Sequence, residues 1–168
     1  MRNSLRIAAL GAALAAASFA TSANAAATAT ATATAEVLET LTLTAVDNLS
    51  FGQIAANTGG TVTVNANSTV SSTGTLISTG TRAPATFDVT GTANTMVGVT
   101  LPSSAVNLTR LTGTETMSLA GFNSNPNGAF QLSAAGTGSF SVGGTLTVAS
   151  SQVPGSYVGT FPVSVEYQ

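Results

Sequence analysis

The stretch Tyr157-Val158-Gly159-Thr160-Phe161-Pro162-Val163-Ser164-Val165-Glu166-Tyr167 decides the fold. Tyr157, Gly159, Phe161, Val163, Val165 and Tyr167 recur at every second position, with Thr160, Ser164 and Glu166 between them. Successive side chains of a β-strand point to opposite faces, so this period predicts a strand with one face in a core. It is the last strand of the sequence, and no later segment is expected to pair with one of its sides. Pro162 strengthens the expectation, because a residue without an N–H cannot donate to a ladder and is tolerated at an edge or a bulge. Unless another segment covers it, such a strand leaves backbone and core open.

Upstream, the same short period recurs. Val62 and Val64 share a face after Gly59-Gly60, Ala85, Phe87 and Val89 alternate before Gly91, and Val97, Val99 and Leu101 alternate before Pro102. Leu49-Ser50-Phe51-Gly52 with Ile54 reads as a buried element after the turn signal Asp47-Asn48. Met117 and Leu119 lead toward Phe122, and Phe130 with Leu132 follows the turn cluster of residues 123–128. Phe140 and Val142 precede Gly143-Gly144, and Leu146 and Val148 follow, which predicts two strands joined by a tight hairpin. Seven to nine short strands at regular spacing predict an all-β, immunoglobulin-like β-sandwich, with a barrel as the other closed solution.

The start of the chain has a different character. Arg2 and Arg6, the apolar run of residues 7–19 and Ala23-Asn24-Ala25 have the layout of a secretory signal, assigned to residues 1–25. Ala27, Ala29, Ala31, Ala33 and Ala35 then alternate with threonines, and the same face continues through Val37, Leu41 and Leu43, broken by Glu39. At about 3.3 Å per residue the whole run exceeds any ordinary strand. The expected division leaves residues 26–40 as an extended arm, either a donor strand or a linker, and residues 41–168 as the sandwich, with its own first strand over 41–46.

Charge and residue types exclude several functions. Beyond the signal, Arg82 and Arg110 are the only basic side chains, and the chain has no Lys and no His. Nucleic-acid binding requires clustered cations, as does binding to an anionic membrane surface, so neither is expected, nor is membrane insertion after the signal is removed. The absence of cysteine excludes a disulfide framework and thiolate metal sites. Without His, Cys or Lys the usual partners of a Ser or Thr nucleophile are missing, and the carboxylates are scattered, so no enzymatic activity, cofactor or metal is expected. What remains unusual lies at the two ends: an alternating arm and an uncovered strand, which together suit strand donation between molecules.

At these residues the chain resembles subunits of chaperone–usher pili, with Tyr167 penultimate and Gly155 or Gly159 upstream. Leu49-Ser50-Phe51-Gly52, Val142-Gly143-Gly144-Thr145-Leu146 and Gly155-Ser156-Tyr157-Val158-Gly159 resemble more closely a bacterial domain-of-unknown-function family of small exported β proteins. The resemblance implies a fold one strand short, completed by the N-terminal extension of another subunit. It also implies a periplasmic chaperone and an outer-membrane usher. The chaperone would contact Tyr157, Phe161, Val163, Val165 and Tyr167, with the Gln168 carboxylate as its anchor, and the route would run through the periplasm to the cell surface. Two departures are the missing disulfide and the small donor residues, since burying a methyl is worth about 0.8 kcal/mol against roughly 1.5–3 for Val or Leu. The function expected is that of a fibre subunit; the alternative is a monomeric exported binding module, for example for carbohydrate, although an aromatic platform is lacking.

Overall fold

The computed structural model describes residues 27–168, and the export signal expected over residues 1–25 lies outside the described residues. The chain divides into two units, Met1–Ala35 and Glu36–Gln168. In the first, residues 27–35 are exposed throughout and form no regular secondary structure. The second holds every strand among the described residues. In chain order these are β1 (Thr42–Asp47), β2 (Gln53–Ala55), β3 (Gly60–Val64), β4 (Val70–Ser72), β5 (Ile77–Thr79), β6 (Ala85–Thr90) and β7 (Met96–Thr100). They continue with β8 (Val106–Arg110), β9 (Thr116–Asn125), β10 (Ala129–Gln131), β11 (Thr137–Val148), β12 (Tyr157–Val158) and β13 (Ser164–Tyr167). Five of these span three residues or fewer; the eight longer ones fall within the range the sequence predicts.

The fold is an all-β antiparallel sandwich. One sheet runs β1-β6-β11-β9-β8-β12, with β3 and then β4 added beside the C-terminal half of β11. The second sheet is β10-β7-β13, and β2 with β5 makes a small ribbon. The twelve-residue β11 organises the large sheet. Its first half pairs with β6, its second half with β3, and its other edge with β9.

Gly143-Gly144 is therefore not the hairpin that the sequence predicts; it lies inside one continuous strand. At Gly143 another part of the backbone crosses closely: a Cβ there would lie 2.5 Å from the Ala66 nitrogen and 2.6 Å from the Asn65 carbonyl carbon. Glycine in a strand marks such an approach as readily as a turn.

Two apolar clusters fill the molecule. In one, Val89, Phe140 and Val142 of the large sheet meet Val97 of β7, with Val163, Val165 and Tyr167 packed against them. Phe140 stacks on Phe87 at 5.2 Å between ring centroids, across the β6–β11 pairing. The other cluster holds Val62, Met117, Leu119, Leu146 and Val148 of the large sheet, and no strand of the second sheet covers it. Its cover is made by Leu49, Phe51, Ile54, Leu76, Tyr157 and Phe161.

With β1, β6, β7, β9, β11 and β13 taken as strands A to F, the large sheet contains A-B-E-D and the small one C-F, the immunoglobulin arrangement without its last strand. β13 pairs with β7 on one side, and among the described residues no strand pairs with the other.

Candidate functional site

The terminal alternating stretch is two strands, and this corrects the single strand read from its period. Tyr157 and Val158 pair with β8 in the large sheet, whereas Ser164 to Tyr167 pair with β7 in the small one. Between them, residues 159–163 cross from one sheet to the other. Their side chains keep the two-residue rhythm: Phe161 and Val163 are half-buried, while Thr160 and Pro162 are exposed. Their backbone has no ladder partner, and no other backbone hydrogen bond among the described residues begins or ends there. Pro162 lacks a donor, and Gly159 passes so close to β8 that a Cβ would lie 2.7 Å from the Asn107 carbonyl oxygen.

A trough runs along this segment. One cavity of about 500 Å³ is lined by Ala45, Asp47, Leu49 and Phe51 on one wall, by Tyr157, Gly159 and Phe161 on the other, and by Phe87, Leu108 and Leu119. A second, of about 600 Å³, continues between residues 49–56 and residues 152–157 over Leu108, Met117, Leu146 and Val148. Both share Leu49, Phe51, Leu108 and Tyr157, so they form one depression over the apolar cluster that the small sheet leaves uncovered. Phe161 packs against both clusters and meets Phe122 at 5.0 Å between ring centroids.

Each wall is anchored. Ser50 and Ala83 exchange backbone hydrogen bonds of 2.9 and 3.1 Å, and Gly52, at φ 69°, turns the chain from Phe51 into β2. On the other wall the Tyr157 hydroxyl donates to the Val153 carbonyl at 2.7 Å and accepts from Gln152 Nε2 at 2.7 Å. Arg110 Nε donates to the Pro154 carbonyl at 3.0 Å, and Arg110 Nη1 lies 3.4 Å from Glu115 Oε2. The backbone N–H of Glu115, with smaller help from the Arg110 guanidinium, holds the Glu115 carboxyl below the usual carboxylate range against the opposing effect of desolvation.

A carboxyl depressed on folding stabilises the fold above its unfolded pKa, and that contribution is lost as pH falls through the folded value. The Glu115→Gln variant is therefore expected to lose stability less steeply than the native chain on acidification through the carboxylate range. Thermal midpoints measured across that range check it, and identical slopes would contradict the Arg110–Glu115 assignment.

Residues 41–167, from the residue before β1 to the last of β13, match a protein family described as Domain of unknown function (DUF4402). The chain belongs to that family. No curated protein and no solved structure matches it.

The family's span takes in the whole trough and leaves out residues 27–40. Three separate segments read from the sequence as marks of a domain-of-unknown-function family converge on it. Leu49 to Gly52 form one wall, Gly155 to Gly159 the other, and Leu146 lies on the floor. Of the residues expected at an acceptor groove, Gly155, Tyr157, Gly159 and Phe161 line the trough, while Val163, Val165 and Tyr167 pack into the neighbouring cluster. Gln168 is exposed, and its backbone N–H donates to the Met96 carbonyl at 3.1 Å.

Of the expected donor residues, Ala27, Ala29, Ala31, Ala33, Ala35 and Val37 are exposed, whereas Leu41 and Leu43 pack against the chain's own core. The opposite wall was not singled out from the sequence as part of a site. Its signal was the Leu49-x-Phe51 alternation directly after a turn, too short to separate a groove wall from ordinary core.

Proposed function

We propose that this protein is a structural subunit of an exported surface fibre, in which residues 27–38 of one copy fill the trough of the next. The observation that carries the reading is the backbone of residues 159–163: extended, core-facing on alternate positions and unpaired, beside an apolar trough. A guest strand laid there would satisfy the idle backbone groups and bring alternate side chains over Leu108 and Leu119. Residues 27–38 have the chemistry of that guest, since Ala27 to Ala35 alternate with threonines and Val37 is 93% exposed. At about 3.3 Å per residue they reach about 40 Å. Leu41 and Leu43 belong to the subunit's own core, so the donated segment ends before them.

A contact in which each copy donates to the next does not close on itself, and it grows a filament. Before assembly, an uncovered trough and the free side of β13 invite aggregation, which gives a periplasmic chaperone its role and an outer-membrane usher its cargo. The export signal read over residues 1–25 supports that route.

Deletion of residues 27–37 tests the proposal. The truncated chain is expected to fold with an unchanged thermal midpoint, to form no fibres by electron microscopy, and to shorten fibres of the native chain when mixed with it, because it accepts a strand but donates none. If native and truncated chains are both stable monomers, the fibre reading falls and the monomeric binding module takes its place.

A further inference from the structure

The root of the arm is held by a closed ring of hydrogen bonds that the fibre reading does not use. The Glu39 N–H donates to Thr92 Oγ1 at 2.7 Å, the Thr92 N–H donates to the Tyr167 hydroxyl at 2.7 Å, and that hydroxyl donates to the Glu39 carbonyl at 2.9 Å. The space is made by the buried Gly91, where a Cβ would run into the Tyr167 hydroxyl and lie 2.9 Å from Leu41 Cδ1. Tyr167 is also the end of β13, pairing with Val97 on β7. One side chain therefore joins the strand beside the trough to the point where the arm leaves the subunit. Val37, two residues before Glu39, is almost fully exposed.

We infer that Tyr167 is a positioning residue that couples filling of the trough to fixing of the subunit's own outgoing arm. The inference rests on the strand-acceptor reading and adds a direction of growth to it. β13 is four residues long and, among the described residues, is held by a strand from one side, which are conditions under which a strand opens locally. When β13 frays, the hydroxyl leaves Glu39 and Thr92, and the arm root loosens. A guest strand continuing from residues 159–163 onto the free side of β13 gives it a second ladder and seats Tyr167, so the arm root closes. By linkage, an ordered root favours the filled trough to the same extent. Subunits that have accepted a strand thus present their own arm in a fixed direction, and growth proceeds from the filled end.

The test uses the full exported chain, kept dilute enough to remain monomeric, and a synthetic peptide of residues 27–38. Saturation with the peptide is expected to slow amide exchange at Glu39 and Thr92 by about tenfold or more, the range of a local opening closed by binding. The Tyr167→Phe variant keeps the ring in the core and loses the hydroxyl. It is expected to bind the peptide more weakly, by no more than the factor by which the peptide slows exchange in the native chain, while the added protection at both amides disappears. Thr92→Val, which removes the acceptor for Glu39 and keeps the Thr92 N–H, is expected to abolish the effect at Glu39 alone.

If the peptide binds and exchange at Glu39 and Thr92 does not change, the coupling is wrong and the strand-acceptor reading stands. If the peptide does not bind, both fall. A Tyr167→Phe variant in which the peptide still adds the same protection at Glu39 and Thr92 would mark the residue as structural and overturn the inference.

Discussion

With Ala31 and Ala33 both replaced by Asp, fibre growth is expected to stop while the folded domain keeps its thermal midpoint. The two halves of this result have separate causes. Residues 27–35 are exposed and form no strand, so the substitutions remove nothing that holds the sandwich together. Docking is another matter, because Ala31 and Ala33 share the face that carries Val37, and that face would enter a trough floored by Leu108, Met117, Leu119 and Leu146. A carboxylate taken out of water without a partner costs several kcal/mol; of the cations near the trough, Arg110 is already paired with Glu115, and Arg82, beside Gly52 of the wall, donates to the Ser78 hydroxyl.

Even a net cost of about 3 kcal/mol for the pair weakens binding by more than about a hundredfold. The opposite parity is the control. Thr30→Asp with Thr32→Asp places the same charges on the face turned to water, and an effect within about tenfold is expected. Titration of the native and substituted 27–38 peptides against the chain separates the cases. Equal losses for both parities would mean that the arm does not dock as a strand.

How much of this was legible beforehand follows from what a two-residue period does and does not encode. The period of residues 157–167 reports which side chains face the core, and it reports correctly: Phe161, Val163, Val165 and Tyr167 are half-buried, with Thr160, Pro162, Ser164 and Glu166 exposed between them. It carries no information on which backbone each residue pairs with. A chain that crosses between two sheets while staying extended keeps the rhythm and loses the ladder, and that loss is what makes residues 159–163 a candidate acceptor. Pro162 was the local sign of it.

β8 was hidden for a related reason. Val106, Leu108 and Arg110 alternate inward, but only two of the three are apolar, too few to mark a strand by their period. The trough itself is a tertiary object. Leu49 and Phe51 were read as buried; Phe51 is buried and Leu49 half-buried, but nothing along the sequence places them opposite Tyr157 and Phe161.

Gly143 is the position where the sequence and the structure part most sharply, and it carries the largest stability effect we expect. A Cβ there would lie 2.5 Å from the Ala66 nitrogen and 2.6 Å from the Asn65 carbonyl carbon, against the Val64 carbonyl oxygen as well. These are backbone atoms, and β11 cannot move away from them because it is held by β6, β3 and β9 at once. Overpacking without relief costs roughly 1–3 kcal/mol and occasionally more, and with three backbone atoms of residues 64–66 in the way the upper end applies. Gly143→Ala is therefore expected to lower the thermal midpoint by on the order of 10 °C, given a few degrees per kcal/mol for a domain of this size.

Gly128 separates crowding from backbone conformation. At φ 76° it has no heavy atom within 4 Å of an added Cβ, so Gly128→Ala costs only the left-handed conformation, about 1–2 kcal/mol. Thermal unfolding of the two variants side by side reads the difference, and equal shifts would refute the crossing at Gly143. The consequence reaches the trough. Val142 packs in the cluster between the sheets, and Leu146 lies on the trough floor. Gly143 thus stands where one strand passes from the cluster between the two sheets to the one covered by side chains such as Phe51, Leu76 and Phe161. Crowding it should loosen the trough floor more than the covered core, so exchange of the Leu146 amide should accelerate before that of Phe140.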